Sequence, residues 1–132
     1  MHLNKHFPPF FNSLEELEIK VYAISSNDAV SYPDDSPEKM AIEAKRLQFN
    51  FPYLYDETQS VAKLYNAACT PDFFLFNKDK ELFYRGQHDE TRPGKKEEVN
   101  GFDLTNAVDL LLAEKNPPNN QVPSLGCNIK WK

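Results

Sequence analysis

Apolar residues along this 132-residue chain come in short runs, each bounded by charged or proline-bearing segments. The first, LEIKVYAISS, is β-branched enough to predict a strand at about 19–25, and it ends in the turn-rich SNDAVSYPDDSP. Asp35 and Ser36 then precede Pro37, which suits the first position of a helix. EKMAIEAKRLQF sets Met40, Ala44 and Leu47 at helical spacing behind an acidic first turn. That helix is expected to stop near Phe49, because Pro52 follows.

FPYLYD reads as a short extended piece, and TQSVAKLYNA as a short helix capped by Thr58, with Val61, Leu64 and Tyr65 on one face. DFFLFNKDKELFYRG predicts a hairpin, with strands at 73–76 and 82–85 joined by NKDK. Residues 87–101 are polar and punctuated by Pro93 and two glycines, the signature of a long surface loop. DLTNAVDLLLAEK then predicts a helix capped near Asp103, with Leu104, Val108, Leu111 and Leu112 inward. The last stretch, NPPNNQVPSLGCNIKWK, has three prolines and no helical period, yet LGCNIKW is too apolar for simple disorder. The order of strand, helix, short strand, helix, hairpin and helix argues for an α/β sandwich with parallel and antiparallel pairing.

Composition narrows the class. At 40% hydrophobic and 13% aromatic, the chain holds enough for one core, and two domains are not expected. The net charge of −5, with basic residues dispersed, offers no footprint for nucleic acid or an anionic membrane. No apolar run reaches a membrane span, and MHLNKHFPPFF lacks the order of a secretory signal, so a cytoplasmic location is expected. Two cysteines, Cys69 and Cys127, are too few for a disulfide scaffold or a cysteine-only zinc site, so their reactivity is the open question.

Taken alone, Cys69 in NAACTPDFFLF reads as a small apolar core residue; the alternative is a redox site. Other constellations are weaker. His2 and His6 have the i, i+4 spacing of a metal pair without an evident third ligand, so no metal site is expected. His88, Asp89 and Glu90 read as solvated charge in a polar loop. Asp72 reads as a hydrogen-bond acceptor at a strand end, or as a carboxylate tuning a nearby thiol. Arg85 and Arg92 flank the polar loop and could hold a partner's carboxylate or polarise a thiol and peroxide. Neither a Gly-rich phosphate loop nor a local Ser-His-Asp or Cys-His arrangement is present.

Six blocks in register, VYAISSND, YPDDSPEKM, FPYLYDETQSVAKLY, AACTPDFFLFN, YRGQHDETRPG and GCNIKWK, resemble the peroxiredoxin-like proteins of thioredoxin fold grouped with alkyl hydroperoxide reductase and thiol-specific antioxidant. The resemblance implies a thioredoxin-like three-layer sandwich with a mixed sheet, shortened at its N-terminus. Residues 1–114 would form the domain, and 115–132 a tail packed on it. It also implies that Thr70-Pro71 is cis, although only about 5–6% of X-Pro bonds are, and that Thr70 and Pro71 form the substrate-binding edge beside the redox site.

Members of the group usually carry an Asn-His-Cys-Pro type motif whose cysteine is the nucleophile. MHLNKHF resembles the helix just after that motif, so either a truncated or misassigned start or a cysteine-less variant is expected. Pro8 and Pro9 would break what remains of that helix, and the strands at 19–25 and 73–76 would be left with open edges that could pair a homodimer. The function implied is thiol-dependent disulfide exchange or peroxide reduction without metal or organic cofactor, impaired in this chain. The partner would be a protein thiol or disulfide, or a peroxide. Cys69 and Cys127 are the only candidates for the catalytic thiol. The alternative is a non-catalytic binding module of the same fold.

Overall fold

The computed structural model describes residues 6–91 and 99–132. Two compact units divide the chain: residues up to Ala67 together with Ile129–Lys132, and Ala68–Asn128. No helix among the described residues is long and apolar enough to cross a membrane.

The first unit begins with α1, Phe7–Glu16. The expected break at Pro8 and Pro9 does not occur, because the helix starts just ahead of them. Both prolines occupy the first turn, where backbone N–H groups have no intrahelical acceptor to lose. α1 ends with Glu18 at φ 63°, its N–H donating to Glu15 O, while Ile19 N–H reaches back to Leu14 O. That closure, together with a bond from Val21 N–H to Glu15 Oε1, occupies residues the pattern assigned to a strand. β1 is therefore only Ala23–Ser25.

β1 pairs in parallel with β2, Tyr53–Tyr55, in the register Ala23 to Tyr53, Ile24 to Leu54 and Ser25 to Tyr55. The crossover runs through α2, Pro37–Arg46, whose cap is the Ser36 hydroxyl accepting Lys39 N–H. α2 stops before Phe49, since Gln48 turns at φ 58° and Phe49 N–H bonds to Ala44 O. Asn12 ties α1 to this turn, donating to Gln48 O and accepting Asn50 N–H.

α3, Ser60–Leu64, departs from the sequence expectation in two ways. Asp56 shares the capping with the expected Thr58: its carboxylate oxygens accept Val61 and Ala62 N–H, while Thr58 Oγ1 accepts Ser60 N–H at 3.4 Å. The inward residue of α3 is Ala62, while Leu64 is 78% exposed. Asp56 belongs to a buried polar cluster after β1 and β2 that also holds Ser25, Ser26, Asn27, Asp28 and Gln59. This cluster grips the final residues: Lys130 N–H donates to Asn27 Oδ1, while Lys130 O accepts Asp28 N–H and Gln59 Nε2. Ile129 is buried and Trp131 is partly exposed.

The second unit contains β3, Cys69–Thr70, and the hairpin of β4, Phe73–Phe76, with β5, Leu82–Gly86, shifted in register between Leu75 and Phe76. Asn77 Oδ1 accepts Asp79 and Glu81 N–H and so shapes the hairpin turn. α4, Phe102–Leu112, packs Leu104, Ala107 and Val108 inward beside Leu75, Phe83 and Tyr84 in the buried set. Leu112, expected inward, is half exposed. β6, Cys127–Asn128, pairs antiparallel with β3.

The expected polar loop does not begin at the surface. Gln87, His88 and Asp89 are buried, and only Glu90 of the His-Asp-Glu run is exposed. Asp89 Oδ2 accepts Asn100 and Gly101 N–H at 2.7 Å each, and His88 O accepts Leu104 N–H. Asp89 thus fixes the two residues ahead of α4, and Asn100 Oδ1, rather than Asp103, accepts the N–H of Phe102, the first helical residue, at 2.9 Å. The Leu104 amide, a donor that the first turn leaves open, goes to the His88 carbonyl.

Candidate functional site

Ala68, Cys69, Asp72, Arg85, Gly86, Pro123 and Ser124 line a cleft of about 330 Å³ in the second unit. β3 supplies the thiol, the turn into β4 supplies Asp72, the end of β5 supplies Arg85 and Gly86, and the irregular segment before β6 forms the wall. The Thr70-Pro71 peptide bond between the first two of these is cis.

Cys69 is a free thiol, partly exposed. Its sulfur lies 3.4 Å from Ser124 O, to which the S–H can donate, with Pro71 O at 3.7 Å. Burial pushes the thiol pKa up and the Asp72 carboxylate adds to the rise, while the Arg85 guanidinium opposes it. Burial and Asp72 both favour the protonated thiol over the thiolate, which is the nucleophilic form.

Asp72, with its side chain 8% exposed, accepts from Arg85 Nη2 at 3.4 Å, and the Arg85 side chain is 39% exposed at the cleft. The guanidinium also lies over the Phe74 ring, 5.0 Å from its centroid. The arrangement offers a thiol, an ion pair and small walls on one side of an opening.

The two cysteines do not converge. In the β3–β6 register Thr70 stands opposite Cys127, and Cys69 opposite Asn128. Alternation along a strand sends the two side chains to opposite faces of the ladder. Cys127 is an exposed free thiol, and Thr70 Oγ1 donates to its carbonyl at 3.4 Å. Thus Cys69, Asp72 and Arg85 come together at the cleft, while Thr70 and Pro71 adjoin Cys69 in the chain without lining it, and Cys127 stands apart from it. Among the metal candidates, His6 is half-buried against the Phe7 and Phe10 rings, and His2 lies outside the described residues, as does Arg92. No group of three or more His, Cys, Asp or Glu side chains among the described residues is placed to share a metal ion.

Sequence reasoning missed the wall. Pro123 and Ser124 sit in a proline-bearing tail with no periodic signal, and Gly86 looked like a hairpin end. Gly86 is required by close approach: a Cβ there would lie 2.6 Å from Val122 O. The one hint was the apolar LGCNIKW, which marked the tail as docked.

The family model of the AhpC/TSA family matches residues 4–85. A crystal structure of a hypothetical protein from Sinorhizobium meliloti is 46% identical, with a TM-score of 0.94, over 97% of this chain and 70% of that one. An uncharacterized conserved protein from Geobacillus kaustophilus is 48% identical, with a TM-score of 0.93, over 97% of this chain and 68% of that one. No curated protein matches the sequence. Matched over more than half its length, the chain belongs to the AhpC/TSA family and is a peroxiredoxin-like protein of thioredoxin fold.

Proposed function

We propose that the cleft of the second unit is a thiol-disulfide exchange site with Cys69 as its reacting atom. The observation that carries this reading is the placement of the Cys69 sulfur in a cleft of about 330 Å³ with the Asp72 and Arg85 ion pair. Membership in a family of thioredoxin-type peroxidases and oxidoreductases supports it. In the reaction the Cys69 thiol loses its proton and attacks one sulfur of a partner disulfide. The partner S–S bond breaks, a Cys69 mixed disulfide forms, and the departing thiolate takes up a proton.

The raised Cys69 pKa favours a second reading, a binding module of the same fold that holds a thiol partner without turnover. One experiment separates them. The protein and its Cys69→Ser and Cys127→Ser variants are incubated with a small aromatic disulfide and then with reduced dithiothreitol, and adducts are mapped by mass spectrometry. Exchange at the cleft predicts a reducible adduct on Cys69 that persists in Cys127→Ser. An adduct confined to Cys127 overturns it, and an unmodified Cys69 beside retained partner capture favours the binding module.

A further inference from the structure

Residues 121–128 run along the open side of β5 and then along β3 with an unusual set of anchors. Gln121 Oε1 accepts Arg85 N–H at 3.0 Å, and its Nε2 donates to Phe83 O at 3.2 Å. Val122 O accepts Gln87 N–H at 2.8 Å, and Ser124 Oγ donates to Gly86 O at 2.7 Å. The fit is close at both ends: a Cβ on Gly86 would meet Val122 O, and one on Gly126 would collide with Thr70 O. Yet none of the eight residues is buried; Val122 is 37% and Leu125 64% exposed. The segment is therefore held in a specific place by hydrogen bonds and close backbone packing, without a fully buried apolar side chain of its own. Ile129, the next residue after it, is buried. Segments with few buried apolar contacts are the ones that open locally while the core stays folded.

We infer that residues 121–128 are a strap that closes over Cys69 and must leave its seat before the thiol can exchange with a disulfide. This rests on the cleft being the exchange site and adds its regulation. In the closed form Ser124 O takes the Cys69 S–H and Pro123 stands in the cleft wall, so the thiol of a partly exposed residue has its proton engaged. Opening removes the wall and the acceptor in one movement. A partner that offers an extended backbone to Arg85 and Gln87 N–H would replace the bonds the strap gives up.

The test measures iodoacetamide labelling of Cys69 and of Cys127 separately by mass spectrometry, alongside amide hydrogen exchange, in the wild type, Ser124→Ala and Gly126→Val. The strap predicts that Ser124→Ala labels Cys69 about fivefold faster, the opening equivalent of one hydrogen bond, and Gly126→Val more than tenfold faster. Amides in α4 should stay protected in both, and Cys127, already exposed, should change less than about twofold. If Gly126→Val does not fold, Ser124→Ala carries the test. Faster exchange of the Gln87 amide with no change in Cys69 labelling overturns the strap. Faster labelling with no mixed disulfide formed on Cys69 supports the strap and overturns the exchange reading.

Discussion

Asp56, after β2 in the first unit, and Asp72, before β4 in the second, are both largely buried carboxylates set in different company. Asp56 is surrounded by short donors: the Ser26 hydroxyl at 2.8 Å, Ala62 N–H at 3.0 Å and Val61 N–H at 3.3 Å. Asp72 faces a half-exposed guanidinium at 3.4 Å and a thiol whose proton its charge helps retain. A carboxylate filled by backbone donors spends its charge on holding a turn. One that meets a solvated cation and a thiol at a cleft acts instead on its neighbour's proton. Burial alone does not separate the two roles; the identity of the donors does.

The sharpest way to break this contrast is to remove the first carboxylate. Asp56→Ala strips the α3 start of its carboxylate cap and leaves the Ser26 hydroxyl buried without that acceptor. It should cost about 2–3 kcal/mol, read as a lower urea midpoint at unchanged slope. A loss below about 0.5 kcal/mol would make Asp56 as dispensable as a surface carboxylate.

Acid gives the next largest effect, through Asp89, the second unit's counterpart of Asp56. Burial pushes its carboxyl up, but the Thr91 hydroxyl and the N–H groups of Gly101, Thr91 and Asn100 outweigh this and hold it at about 2. Because the folded pKa lies below the ordinary carboxyl value, the stabilisation is complete above about pH 4 and is lost as pH falls from there through about 2. Asp56, also held below the usual range, adds in the same direction. The wild type should lose about 2 kcal/mol more than Asp89→Asn across that window, by urea unfolding at stepped pH.

What the sequence made legible follows from how far each signal reaches. The β4–β5 hairpin and the Ser36–Pro37 start of α2 rest on neighbouring residues, and both appear where the pattern puts them. Helix ends were harder, because Glu18, Gln48, Asn66 and Glu114 take positive φ where glycine is the usual marker. The approach to α4 was harder still, since Asp89 reaches Asn100 and Gly101 across a loop that looks like solvated charge. In the candidate site, Cys69, Thr70 and Pro71 were legible through the family resemblance. Ser124 was not: it joins Cys69 across 55 positions, and Gln121 joins Arg85 across 36, with no local pattern to mark either contact.

Asp72→Asn should change stability by less than about 1 kcal/mol, since Arg85 is already partly solvated, and its effect should appear at the thiol. The most direct measurement is therefore the pH dependence of Cys69 alkylation, followed on the Cys69 peptide by mass spectrometry in the wild type and in Asp72→Asn. The wild-type midpoint should lie above that of a free thiol in solution, and the variant should move it down and label several-fold faster near neutrality. A wild-type midpoint at or below the free thiol, or one that Asp72→Asn leaves in place, would contradict the account.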